Sequence, residues 1–488
     1  MRRVRGRSFL AMFAVAVVVA AACTPTPEPV PPTTQVAAET AFPTPEPTLP
    51  VAPTPEPTPE PTTDPNAPPP PSIEPGEVDR STLNISATYD VNALISVGSG
   101  AIEMAARIEV TNESGEGIDR LELNTVAARL GGIEVTESSV DGKRVKTRVN
   151  DQTLIMPLEG VLPDGASATI LIGYRATLSR SLAGSDWMFS NVGGTIALHR
   201  WIPWVSRAIP FGSPNDGLPF VTASSPSVEV EIVTDMPMVL AAPAADVTKL
   251  TAGRGQAWAF TVENVRDVSV VLAPDFGVLE GEVKGVPIRV YSRYGAFNRD
   301  QLLGLAEAAV RADSDLLGVD YPWTVLTVVE TEGGDGLASP GLIWVPKNLD
   351  TLNKTYAVHH IVAHQWFYGL VGYNQRTEPF AGDGMADMLA RTATANFRPS
   401  NCPTTRLDLA VTAYSAGCYY ETVQVQGGLV LESIRQQMGS NQFWAAVRSY
   451  LQDNRYGIGG TKELLDALRD GSGANIGAIL RARFPGLY

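Results

Sequence analysis

The 488-residue sequence is poor in the groups that carry most protein chemistry, with 3 cysteines, 4 histidines and 18% charged residues. So few thiols exclude a disulfide-dense scaffold or an all-cysteine zinc module. Positive charge is scarce as well, with 37 Lys and Arg against 52 Asp and Glu and a net charge of −15. Nucleic acids and anionic lipid surfaces are gripped by clustered cations, so neither is expected as the main partner. The sequence also lacks a G-x-S-x-G turn, a P-loop and a dinucleotide fingerprint, which sets aside the common serine-hydrolase, nucleotidase and Rossmann chemistries. What it has is 44% hydrophobic residues, ample for two or three buried cores at this length.

The one long apolar run is at the start. Arg2, Arg3, Arg5 and Arg7 precede Phe9 to Ala22, and Cys23 follows. A basic stretch, a short apolar core and small residues before a cysteine read as a secretory signal over residues 1–22. The run is shorter than the ~20 residues of a spanning helix. Ala20, Ala21 and Ala22 before Cys23 resemble a bacterial lipobox, which implies a lipidated Cys23 and an extracytoplasmic protein held at the cell membrane by its lipid. Residues 24–75 hold 20 of the 38 prolines, many in Thr-Pro-Glu-Pro units. Segment 23–76 is therefore expected to be an extended linker, with a reach on the order of 160 Å. In an exported chain the remaining Cys402 and Cys418 are a candidate disulfide, with two buried free thiols as the alternative.

Residues 77–292 read as strands. Ala101 to Thr111 and Ser227 to Val233 alternate apolar and polar residues, and Asn112-Glu-Ser-Gly-Glu-Gly117 and Pro163-Asp-Gly165 supply turns, the signature of antiparallel sheets with one buried face. Trp187 to Phe220 is rich in Trp and Pro and reads as loops over the sheets. From residue 293 the period changes. Arg299 to Leu317 is an amphipathic helix with Leu303, Ala306, Ala309 and Val310 on one face. Two short strands follow, Val325 to Glu330 and Leu342 to Val345. Helices are then expected over Tyr356–Leu370, Gly384–Asn396, Val425–Met438, Gln442–Gln452, Lys462–Arg469 and Ile476–Arg483. The fold class is α+β and multidomain, a β half over 77–292 and a mainly helical half over 293–488.

Three of the four histidines fall within six residues, His359, His360 and His364. His360 and His364 are four apart on the expected helix, so both imidazoles leave one face, the spacing that lets two nitrogens reach one Zn²⁺. The next carboxylate to weigh is Asp383. His359 points elsewhere round the helix, and His199 reads as structural.

The segment His360-Ile-Val-Ala-His364-Gln-Trp-Phe-Tyr-Gly369, with Gly382-Asp383-Gly384-Met385-Ala386 after it, resembles the zinc site of the aminopeptidase N family of gluzincin metallopeptidases. Its members read His-Glu-x-x-His-Gln-Trp-Phe-Gly, with the Glu of Asn-Glu-Gly-Phe-Ala as third ligand after eighteen residues. Ala338-Ser-Pro-Gly-Leu-Ile343 resembles the end of the family's amino-group-binding strand. Gln426-Gly-Gly-Leu-Val-Leu431 and the stretch Met438 to Trp444 resemble the helices that follow the site. The likeness covers about Thr82 to Tyr488. It implies a saddle-like β-domain before a thermolysin-like zinc-peptidase domain, with zinc held by His360, His364 and Asp383. The family often adds a further helical domain, and without one the cleft is expected to be more open.

The departures fall on positions with chemical duties. Where the family has its general-base Glu stands Ile361, which accepts no proton. Where a Glu pairs with the substrate's ammonium stands Ala338, and where a Tyr stabilises the transition state stands Gln424. Metal binding thus survives better than catalysis, and no catalytic residue is assigned. Three readings follow: a lipid-anchored pseudo-peptidase that binds a peptide or protein ligand; a divergent zinc peptidase with a base recruited from Glu378, Asp387 or Glu421; and a scaffold whose histidines are core polar groups.

Overall fold

Alternation in the strand Ala101–Asn112 sends Ile102, Met104, Ala106, Ile108 and Val110 inward and Glu103, Arg107 and Glu109 outward. Burying one face in this way fixes the register, because a slip of one residue would turn every apolar side chain to water. The computed structural model describes residues 73–207, 221–252, 255–293, 298–334, 336–349, 354–415, 417–471, 473 and 475–488. The expected signal 1–22, Cys23 and nearly all of the linker lie outside these residues. The linker's end is within them, and Glu74 exchanges backbone hydrogen bonds of 2.8 and 2.7 Å with Val161. Among the described residues no helix is long and apolar enough to cross a membrane.

Eight strands pair in the order Thr248–Ala252, Gly255–Val265, Ser225–Thr234, Ile85–Ser96, Ala101–Asn112, Ser167–Thr177, Glu134–Val140 and Lys143–Arg144. The sheet is antiparallel as expected except at its centre, where Ile85–Ser96 runs parallel to Ser225–Thr234. A parallel neighbour needs a crossover, and here the intervening chain contributes strands to two smaller sheets on the way. One of them takes in Phe189–Val192 and Thr195–Leu198. The stretch read as loops from Trp187 thus contains short strands, including Trp204–Arg207, while residues 208–220 lie outside the described set. These strands are too brief to show a period, and aromatic packing seats them. Tyr89 stacks on Trp204 at 4.3 Å, and its hydroxyl accepts from the Val205 N–H at 3.0 Å. His199 is buried there, with Nδ1 2.8 Å from the Ser269 hydroxyl and its ring edge-on to Trp344.

A five-stranded sheet follows in the order Gly277–Val283, Val286–Ser292, Leu326–Thr331, Leu342–Pro346 and Leu337–Ser339. Its hairpin 277–292 pairs parallel to Leu326–Thr331, so the sheet runs across the 292/293 boundary that periodicity suggested. The described residues, from 73 onward, belong to one compact unit.

The helix Arg299–Leu317 is capped by the Asn298 side chain, which accepts from the Asp300 N–H, and closes at Gly318 with φ 62°, the left-handed end that glycine supplies freely. It buries Leu302 rather than Leu303, with Ala306, Ala309, Val310 and Leu317. The same face buries Asp313, whose carboxylate oxygens have no hydrogen-bond partner. Burial pushes that carboxyl well above its usual range. A folded-state pKa above the unfolded value gives stability that is full in acid and is lost as pH rises. Asp313→Asn is therefore expected to stabilise the protein at pH 7, by about 1.4 kcal/mol for each unit by which the folded pKa exceeds the unfolded one, counted up to pH 7. The gain should shrink as pH falls from 7 and be absent below about pH 4, where the carboxyl is protonated in both states. Urea denaturation at both pH values checks this, and equal midpoints for wild type and variant at pH 7 would refute it.

The β half docks on the helical half through buried charges. Asp267 accepts from the hydroxyls of Ser339 and Tyr368 and lies 3.8 Å from Arg200 Nε. Arg200 also donates to the Tyr368 hydroxyl at 2.7 Å and to Gln375 at 3.1 Å. Next to it, Arg266 gives its N–H groups to the carbonyls of Gly369, Thr222 and Gly457 at 2.9 to 3.0 Å.

Candidate metal and ligand site

The helix Lys354–Ala363 buries Val358, His359, Ile361, Val362 and Ala363. Its β-branched residues are indifferent helix formers, and packing against the helices Arg299–Leu317 and Met385–Thr394 holds it. The expected helix to Leu370 stops early. The chain turns out over Gln365–Leu370, with Phe367 at φ −101°, ψ 63°. Side chains fix that turn. The Gln365 carbonyl accepts from the Gly341 N–H at 2.9 Å and the Tyr321 hydroxyl at 3.1 Å, and its amide donates to the Ser339 carbonyl at 2.9 Å. Gln365 thus stitches the strand Leu337–Ser339 to the histidine helix.

The turn also orients His364. Its Nδ1 lies 3.0 Å from the Phe367 carbonyl, which takes the N–H and leaves Nε2 as a lone pair. That nitrogen is 3.3 Å from His360 Nε2 and 3.7 Å from Asp383 Oδ1. Two ligands at ~2.1 Å from one tetrahedral ion stand about 3.4 Å apart, so both separations suit a shared metal. Among the described residues no ready group of three His, Cys, Asp or Glu ligands is found; the fit rests on these two separations and on the freed lone pair of His364. Burial holds the His360 pKa well below its ordinary value, and the neighbouring His364 and Arg391 add to this, which favours the neutral imidazole that ligates. His360 Nδ1 is buried without a partner. His359, on another side of the helix, is buried, and burial lowers its pKa.

Asp383 comes from the turn Phe380–Gly384, ahead of the helix Met385–Thr394. A Cβ on Gly382 would run into the Tyr373 ring, so glycine is what lets that tyrosine close on the carboxylate. Tyr373 donates to Asp383 Oδ1 at 3.2 Å and Tyr419 donates to Oδ2. Burial raises the Asp383 pKa, while His364 and the two hydroxyls pull it back. These tyrosines were not legible in the sequence. A further buried group backs His360: Tyr356 stacks on it at 6.0 Å and donates to Asp387, which pairs with Arg391. Cys402 and Cys418 are joined as a disulfide, with Cα atoms 5.7 Å apart.

A cavity of about 700 Å³ gathers these parts. Its lining includes His360, His364 and Asp383, and also Ile361, Ala338 and Gln424, the three departures. Asp383 is the sole carboxylate residue among the described lining residues. Ile361 lies against Gly336, where at φ 90° an added Cβ would come within 2.6 Å of its methyl. The carboxylates considered as recruited bases are occupied. Glu378 accepts from the Thr461 N–H at 3.1 Å, and Glu421 is held by Arg398 at 2.6 Å. Asp387 is pushed up to about 6 by burial, against the pull of Arg391, and is not among the lining residues.

No family model matches the chain. It is 21% identical to Aminopeptidase 2 of Candida albicans over 400 residues, 71% of this chain and 42% of that protein. It is 22% identical to the Alanine/arginine aminopeptidase of Saccharomyces cerevisiae over 445 residues, covering 82% of this chain and 50% of that protein. The chain spans about half the length of the curated relatives it matches. Among solved structures, an M1 zinc metallopeptidase from Deinococcus radiodurans superposes with a TM-score of 0.62 at 17% identity, over 82% of this chain and 93% of that one. A point mutant of it bound to a Tyr-Ser-Ala substrate gives 0.61 at 17%, over 82% and 94%. A β half, a helical half and a His-x-x-x-His helix facing an aspartate are the two-domain architecture shared with those zinc metallopeptidases. By this fold, and by its sequence similarity to those aminopeptidases, the chain is similar to the aminopeptidase N-like zinc metallopeptidases.

Proposed function

We propose that the protein is an aminopeptidase N-like surface protein that keeps a zinc site at His360, His364 and Asp383, has lost peptide hydrolysis, and uses the cavity to bind a peptide or protein. Lipid on Cys23 would hold it at the outer face of the membrane, with the proline-rich segment as spacer. The observation that carries the reading is Ile361 on the cavity wall beside the two histidines. Zinc, when bound, supplies a Lewis acid that polarises a carbonyl or acidifies water. Hydrolysis also needs a proton acceptor within hydrogen-bond reach. Ile361 offers none and excludes water from that position. Ala338 leaves a free ammonium without a counter-charge, and Gln424 offers an amide in place of a phenol. His364 is held in one tautomer by Phe367, Asp383 is aimed by two hydroxyls, and the aromatic lining of Trp187, Tyr356 and Tyr420 gives contact surface for a ligand.

The test is metal content by mass spectrometry, with hydrolysis of a peptide library, on the purified protein and on a His360→Ala/His364→Ala variant. The expected result is one zinc in wild type, none in the variant and no cleavage by either. Cleavage by wild type that the double variant loses would overturn the loss of catalysis. Absence of zinc from both would overturn the metal site.

A further inference from the structure

We infer that Tyr419 is the positioning residue for Asp383 and that the Cys402–Cys418 disulfide holds Tyr419 in place, an inference that rests on the zinc reading above. An aspartate that must meet two imidazoles from another helix has to be aimed, since a free carboxylate samples several rotamers. Here both oxygens are pinned, Oδ1 by Tyr373 at 3.2 Å and Oδ2 by Tyr419. A carboxylate has about four lone-pair sites. Oδ1 keeps one of them for the side where His364 Nε2 lies at 3.7 Å, while Oδ2 is turned away to Tyr419. The hydroxyls thus select a single-oxygen approach to a metal.

The two tyrosines are held by different means. Tyr373 follows Gly372, whose N–H donates to the Gly457 carbonyl at 3.0 Å, so it is seated by the helical core. Tyr419 follows Cys418 directly. The disulfide draws that segment to Cys402, and polar contacts close the seam on either side. Glu421 accepts from the Asn401 N–H at 2.8 Å and from Arg398 at 2.6 Å, and the Gln426 amide donates to the carbonyls of Cys402 at 2.9 Å and Thr404 at 2.8 Å. Tyr419 also packs its ring against Tyr414 at 6.0 Å. The covalent cross-link therefore lies one residue from a side chain that aims the third ligand.

Hydrogen-bond partners of metal ligands are worth about 10–100-fold in metal affinity. Zinc affinity, read by competition with a chromophoric chelator, is expected to fall by that factor in Tyr419→Phe. It should be unchanged in Tyr456→Phe, a tyrosine outside the cavity lining whose hydroxyl accepts from Arg455 at 3.0 Å. Cys402→Ser/Cys418→Ser should lose a similar factor in the Tyr419 background and little more in Tyr419→Phe, because residues acting through one contact are non-additive. Melting of the metal-free proteins separates this from general damage. Wild-type affinity in a folded Tyr419→Phe overturns the inference and leaves the zinc site standing. Fully additive losses overturn the link to the disulfide. If the cysteine variant fails to fold, Tyr419→Phe against Tyr456→Phe still decides whether Tyr419 aims the ligand. Absence of zinc from wild type overturns the zinc reading itself, and this inference with it.

Discussion

On the proposed loss of hydrolysis, Ile361→Glu is expected to give a protein that cleaves aminoacyl-anilides in a chelator-sensitive way, where wild type does not. The side chain at 361 already faces the cavity that holds His360, His364 and Asp383, and glutamate is close to isoleucine in volume. A positioned general base contributes 10²–10⁴-fold, so the single change should raise the rate above background by a factor in that range. Adding Ala338→Glu and Gln424→Tyr restores a counter-charge for the ammonium and a hydroxyl for the developing oxyanion, and one such donor is worth roughly 10²–10³-fold. The triple variant should therefore exceed the single one, with selectivity for free amino termini that the single variant lacks. Steady-state rates on leucine and alanine anilides, with and without chelator, measure this. If wild type already turns over at the rate of Ile361→Glu, a base has been recruited elsewhere and the loss-of-catalysis reading is wrong.

The parts of this site that sequence shows are those set by local spacing. His360 and His364 share a face because they are four apart, and the one-sided alternation of Ala101–Asn112 made its sheet legible in the same way. Ile361, Ala338 and Gln424 stand out against a family pattern, and the fold brings all three to one cavity. What could not be read depends on contacts between distant segments. All six residues of Gln365–Leu370 are buried, so the apolar pattern carries no stop signal and the helix was extended too far. Only the bonds from Gln365 to Gly341 and Ser339 show why it ends. Tyr373 and Tyr419 lie 46 residues apart in sequence and meet only at Asp383. The parallel pairing of Ile85–Ser96 with Ser225–Thr234 and the hairpin 277–292 joining the later sheet are likewise properties of topology, invisible to period or propensity.

Asp267→Ala should be the most damaging single change to stability outside the apolar core. Asp267 and Arg200 are each about 2% exposed and come from the β half, while Ser339, Tyr368 and Gln375 come from the helical half. Burial raises the Asp267 pKa, and Arg200, Ser339, Tyr368 and Arg266 act in the opposite sense. Removing the carboxylate leaves Arg200 without its counter-charge and two hydroxyls without their acceptor. Breaking one side of a buried pair costs about 3–5 kcal/mol, a large share of the roughly 5–15 kcal/mol that separates folded from unfolded states. Asp267→Asn keeps one carbonyl acceptor in the same volume and should cost less than the alanine. The damage should also reach the site, because Tyr368 and Gln375 belong both to this network and to the cavity wall. Chemical denaturation gives the stability, and zinc competition on the same variants gives the effect on the site. A loss under ~1 kcal/mol in Asp267→Ala, the scale of an exposed ion pair, would mean that apolar packing alone seats the two halves together.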